Sequence, residues 1–195
     1  MKKTTQLVQT GVLTAIILIM AFTPVGYIRV GALSISLITI PVAIGAIAVS
    51  PLSGAFLGLI FGITSFIQCL TGDPFGAALI SVNMLFTFLV CIPTRTLAGF
   101  LTGYIYRMLR KPLKAVSYYI SGFSMAFLNT VFFMGTLVLC FWHSEAVQSW
   151  AVSLGTTAPF MFILASVSLN AIIEWIFTTI IAGSIGFALN KALRQ

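Results

Sequence analysis

Long apolar runs separated by short polar breaks set the pattern of this chain. A helix that crosses a bilayer needs about 20 residues, because the hydrocarbon core is about 30 Å thick. The first run of that kind extends from Gln6 to Thr23 and ends at Pro24 and Gly26. A short, more polar segment containing Arg29 follows, from Val25 to Ser36, and then a brief apolar stretch, Leu37 to Val49, with Pro41 inside it. Ser50-Pro51 predicts a tight turn, with Pro51 in the first turn of a third helix that reaches Leu70. Thr71-Gly72-Asp73-Pro74 is a loop signal. Phe75 to Leu109 is too long for one span, and predicts a partly helical outer segment followed by a fourth helix from Phe88 to Leu109, with Pro93 in its early part. A fifth helix is expected over Ala115 to Trp142, a polar connection over His143 to Thr157, and a sixth helix from Ala158-Pro159 to Ala192.

Composition removes the soluble alternative. Of 195 residues, 59% are hydrophobic and 7% charged, against about 25% charged in a soluble domain. Too few charges exist to wet a water-soluble surface, so the excess apolar area must face lipid. The net charge of +7 would suggest nucleic acid in a soluble protein, but no basic stripe interleaved with aromatics supports that. The basic residues instead flank the spans. Lys2 and Lys3 precede the first helix, Arg107, Arg110, Lys111 and Lys114 lie between the fourth and fifth, and Lys191 and Arg194 follow the sixth. Six spans place all three groups on one side, which the positive-inside rule makes cytoplasmic, with both termini. A five- or seven-span chain would put one group outside. Lys2 and Lys3 before an apolar run resemble a signal peptide, but no small-residue cleavage site follows. The chain 1–195 therefore reads as one all-α, six-helix transmembrane domain.

Few residues in these spans carry chemistry. Arg95 and Glu174 are the two charges embedded in apolar sequence, and such charges usually mark function or a buried pair. One reading is an Arg95–Glu174 salt bridge that only holds the helices together. The other places both in a polar cavity open to the outside, where Arg95 grips a carboxylate with a two-pronged hydrogen bond. Asn170 lies four residues before Glu174 on the same helical face. Asn129 in the fifth helix, Gln68 at the end of the third and Asn83 before the fourth offer amide donors and acceptors to a solute, or to a neighbouring helix. Arg29, between Gly26 and Gly31, suits either an outer gate or a headgroup contact. Trp142 and Trp150 suggest an interfacial belt around His143 and Glu145. Gly54, Gly58 and Gly62, like Gly99 and Gly103, form small-residue grooves suited to close helix packing. Gly11 and Ala15 make a similar face on the first helix, suited to docking a partner subunit. Cys69, Cys91 and Cys140 form no CxxC pair and read as buried thiols, with no metal site. No catalytic motif and no nucleotide-binding loop appears, so the chain reads as a non-enzyme with no cofactor of its own, and any ATP must be hydrolysed by another chain. A stand-alone secondary transporter of a small organic anion remains an alternative.

Four stretches resemble one known family. IPVAIGAIAVSPLSGAFLGLIFGITSF (Ile40 to Phe66) is similar to the second and third helices of the substrate-binding S components of energy-coupling factor (ECF) vitamin transporters. TPVGYIRVG (Thr23 to Gly31) resembles their first outer loop, PTRTLAGFLTG (Pro93 to Gly103) their fourth helix, and LNAIIEWIFTTIIAGSIGFAL (Leu169 to Leu189) their sixth. Within the family the chain looks most like the pantothenate type, with folate, cobalamin and pyridoxine types sharing much of the pattern. The resemblance implies a six-helix bundle in the cell membrane with an outward vitamin site covered by loops one, three and five. It also implies a transmembrane coupling subunit that meets the first helix, two cytoplasmic ATPases, and release of the solute by toppling of the bundle in the membrane.

Overall fold

A computed structural model describes residues 3–24, 26–30, 33–167 and 170–192, with side chains throughout except at 28–30, 33–35, 167 and 170. Five helices are long and apolar enough to cross a membrane: α1 (Lys3–Ala21), α3 (Pro51–Thr71), α5 (Met84–Leu109), α6 (Val116–Phe141) and α9 (Asn170–Ala192). A shorter apolar helix joins them, α2 (Thr39–Ala48), which has ten residues, all of them buried. At 1.5 Å per residue it is about 15 Å long, roughly half the hydrocarbon thickness. A helix that short is tolerated at membrane depth because protein, not lipid, surrounds it. Pro41 sits in its first turn, where its missing N–H costs little.

The seam between α3 and α5 organises the bundle. A Cβ added at Gly54 would lie 2.5 Å from the Gly99 carbonyl oxygen, one at Gly62 would lie 2.7 Å from Ile92 Cα, and one at Gly103 would lie 2.5 Å from Pro51 Cα. The glycine spacing of four thus serves internal packing on these two helices, where backbones meet directly. On one side α2 fills the centre, with Val42, Leu57, Phe61, Ala98, Met125 and Ala182 in a shared core. Thr39 and Thr178 hydroxyls, 3.0 Å apart, tie α2 to α9. By contrast α1 buries only Ile17 and Ala21 and lies at the periphery.

Three sequence expectations need correction. Residues Tyr27–Val30 (β1) and Leu33–Ser36 (β2) form an antiparallel hairpin where a loop was expected. The fourth helix begins earlier, at Met84, because Asn83 caps it by accepting from Phe86 N at 3.1 Å, and α4 (Pro74–Val82) precedes it. The polar connection after α6 holds a helix, α7 (Glu145–Ser153), capped by Ser144. Helix covers α8 (Pro159–Val167) and α9, within the bounds expected for the sixth helix. These short helices pack together at the end away from the basic cluster. Trp150 meets Phe75 of α4 and Phe162 of α8 edge-on at 4.9 and 4.8 Å. Trp142 also packs on Phe162, so the two tryptophans join this inner cluster and are not a freely exposed belt.

Candidate functional site

Pro93 sits inside α5 and removes one helical N–H. On its N-terminal side the carbonyls accept from side chains as well. Thr94 Oγ1 donates to Val90 O, and Arg95 Nη1 donates to Val90 O at 3.2 Å and to Cys91 O at 3.0 Å. Those two bonds fold the Arg95 side chain back along α5 and fix its guanidinium between two rings, 4.8 Å from the Phe61 centroid and 5.2 Å from that of Phe133. Both bonds come from Nη1, on the side of the guanidinium away from its Nε–Nη2 edge. Nε is buried and has no partner among the described residues. That edge presents two parallel N–H groups, the geometry that matches a carboxylate.

Arg95 lines a cavity of about 760 Å³, within the range of sites for small organic ligands. Its wall is built from the ends of α1 and α3, the hairpin, α4, the first half of α5, and the facing parts of α6, α8 and α9. Glu174 of α9 lines it too, 6% exposed, accepting from Ser36 N and from Asn129 Nδ2, each at 3.3 Å. Arg95 and Glu174 thus share the cavity without a salt bridge among the described residues. Each is held by other groups, which argues against a pair serving only the bundle.

Unsatisfied polar atoms concentrate here. Six buried side-chain N or O atoms lack a hydrogen-bond partner among the described residues, and five belong to residues lining this cavity: Tyr27 Oη, Ser36 Oγ, Arg95 Nε, Asn129 Oδ1 and Ser166 Oγ. An orphaned buried polar group costs about 1–3 kcal/mol, so such a set in one place signals a site that a ligand or water completes. Tyr27 is only partly covered as a residue, yet its hydroxyl is buried near Thr64 and Ser65. Burial pushes its phenol up to about 12, against the opposing pull of the Arg95 charge.

Of the residues singled out from sequence, Arg95, Asn129, Glu174 and Gln68 line the one cavity. Gln68 Nε2 donates to Ala21 O and closes α3 onto the end of α1. Asn83 stands apart as the cap of α5 and is not among the lining residues. Arg29 falls on β1 and Asn170 opens α9, but their side chains lie outside the described residues. Gly11 and Ala15 are exposed on α1, and nothing lies within 4 Å of a Cβ placed at Gly11. Sequence reasoning missed Tyr27, Ser36, Ser166 and the ring pair Phe61 and Phe133. Hydroxyls and aromatics are too common in apolar helices to stand out, although Tyr27 lay within a quoted motif. Cys69 and Cys91 also line the wall as free buried thiols, with sulfurs 3.9 Å apart.

The family model of the ECF transporter substrate-specific component matches residues 5–185. The chain belongs to that family. No curated protein matches it in sequence. As an S component it is a membrane-embedded, substrate-binding transport subunit and not an enzyme. Membership implies a small-molecule substrate and, in general, a coupling subunit with ATPases as partners. The helix directions fit that role. The cavity lies where α1 and α3 end and α5 begins, at the end of the bundle opposite the basic cluster, hence on the outer side by the positive-inside rule.

Proposed function

We propose that this S component captures a water-soluble vitamin carrying a carboxylate, and that the vitamin is pantothenate. The observation that carries the reading is the buried Arg95 Nε without a partner among the described residues, on a guanidinium packed over Phe61 and Phe133 inside the cavity. A carboxylate placed there pairs with a guanidinium that no protein acid neutralises. Elsewhere on the wall the unpaired Asn129 Oδ1 and the Glu174 carboxylate accept hydrogen bonds. They suit a ligand whose other end offers hydroxyl and amide donors. Pantothenate combines a carboxylate, an amide N–H and hydroxyl groups.

In this reading the protein sits in the cell membrane, needs no cofactor of its own, and takes its energy from two cytoplasmic ATPases through a transmembrane coupling subunit. The open small-residue face at Gly11 and Ala15 is where α1 receives that subunit. Arg29 and Asn170 belong to the same site by their place at the hairpin and at the start of α9. The test is isothermal calorimetry on the purified chain, without ATP, against pantothenate, folate, pyridoxine and cobalamin. Pantothenate is expected to bind one-to-one and to raise the thermal midpoint, since a ligand selective for the native state stabilises it. Tighter binding of another vitamin would reassign the substrate, and binding of none would overturn the reading.

A further inference from the structure

The two ends of the bundle differ sharply in charge. The chain has three acidic residues, and none is at the basic end. Asp73 caps α4 by accepting from Gly76 N at 2.7 Å, Glu145 opens α7, and Glu174 lines the outer cavity. Lys3, Arg107, Arg110, Lys111, Lys114 and Lys191 gather at the other end, where α1 begins, α5 gives way to α6 and α9 finishes. No Asp or Glu side chain lies among them.

A second pocket opens there, with a volume of about 330 Å³. The start of α1, the α2–α3 turn and the ends of α5 and α9 enclose it, through Gln6, Ser50, Tyr106, Arg107, Arg110 and Asn190 among others. Arg107 and Arg110 sit three residues apart on the last turns of α5 and are both exposed. Asn190 Nδ2 donates to Gly186 O of its own helix at 3.4 Å. The pocket therefore joins two unneutralised guanidinium groups to a recess at headgroup depth between helices. Polybasic sites in that position attract anionic lipid, and guanidinium matches phosphate with paired N–H donors.

We infer that this pocket binds a phosphate diester anion, the headgroup of an acidic phospholipid of the inner leaflet, on Arg107 and Arg110. The site is separate from the vitamin cavity and independent of which vitamin that cavity takes. It anchors the inner end of the bundle to the membrane surface, where the outer end carries no comparable charge.

The test uses the full chain in a neutral detergent. Phosphatidylglycerol and phosphatidylcholine are titrated separately, with the thermal midpoint as the readout. sn-Glycerol 3-phosphate and inorganic phosphate form the soluble arms. Phosphatidylglycerol is expected to raise the midpoint, phosphatidylcholine is not, and added salt weakens the response. A response to the lipid alone identifies the headgroup, and one shared by the soluble phosphates assigns the same site to a free phosphate ester. R107Q/R110Q is expected to bind phosphatidylglycerol roughly 30-fold more weakly, at about 1 kcal/mol per basic residue near an anionic surface. Its vitamin binding, which also reports that it folds, is expected to be unchanged. R107K/R110K should recover most of the lipid response. Equal responses to both lipids, or a full response in R107Q/R110Q, would overturn the proposal. Overturning it too would be a double variant that keeps its lipid response but no longer assembles with the coupling subunit, since the arginines would then be a protein contact.

Discussion

Replacing Arg95 by Met tests the vitamin site at its most specific contact. Arg95 is 7% exposed, so solvent does little to screen its charge. Its guanidinium packs over Phe61 and Phe133, and a Met side chain keeps an apolar stem there without a charge. The structural loss is therefore modest, two cation–π contacts worth about 0.5–2 kcal/mol each and two bonds from Nη1. Binding loses more. Truncating one partner of a buried, hydrogen-bonded charge pair costs about 2–5 kcal/mol, which weakens affinity between roughly 30-fold and several thousand-fold. R95K keeps the charge but cannot present the Nε–Nη2 edge. It should forfeit about one charge-assisted bond, about 1.5–3 kcal/mol, a loss of roughly 10- to 150-fold. Calorimetry with pantothenate and with its alcohol analogue, in wild type and R95M, closes a thermodynamic cycle. The alcohol should bind wild type as weakly as the acid binds R95M, and both should bind R95M alike. If R95M holds the acid within threefold of wild type, or if wild type does not distinguish acid from alcohol, the guanidinium does not hold the carboxylate.

Other outcomes follow from the packing and the caps. Gly62→Val should lower stability by about 1–3 kcal/mol through overpacking, because Ile92 Cα and Cys91 O stand 2.7 and 2.9 Å from the new Cβ. Gly11→Val meets open space, so it should leave the thermal midpoint of the isolated chain unchanged while impairing assembly with the coupling subunit. Asp73→Ala removes the cap of α4, a loss of about 1 kcal/mol, and hydrogen exchange should report faster opening of α4 above the cavity. Tyr27, with its phenol raised to about 12, stays neutral in the folded protein through physiological pH. Its contribution to stability is whole below the ordinary value near 10 and lost as pH rises towards 12. Vitamin affinity should thus owe nothing to Tyr27 ionisation between pH 7 and 9, and Tyr27→Phe should leave that part of the profile unchanged.

The sequence alone determined the class of this protein. Apolar runs of spanning length, so few charges, and basic residues on alternate connections leave no other fold class, because lipid demands satisfied backbone and uncharged faces. It also marked Arg95 and Glu174, since a charge inside a spanning helix is costly enough to require a reason. Glycines four apart announced close helix contact on α3 and α5, and the small face at Gly11 and Ala15, expected to serve a partner, lies open in the fold. The tertiary structure decided the rest. That Arg95 bonds its own carbonyls and leaves Glu174 to Asn129 and Ser36 depends on distances across helices that no local pattern encodes. Asn83 could cap or bind by composition, and in the fold it caps α5 by accepting from Phe86 N. The hairpin and α7 escaped the pattern because short elements at a membrane surface are held by packing on their neighbours. Their periodicity is too brief to register before the bundle assembles around them.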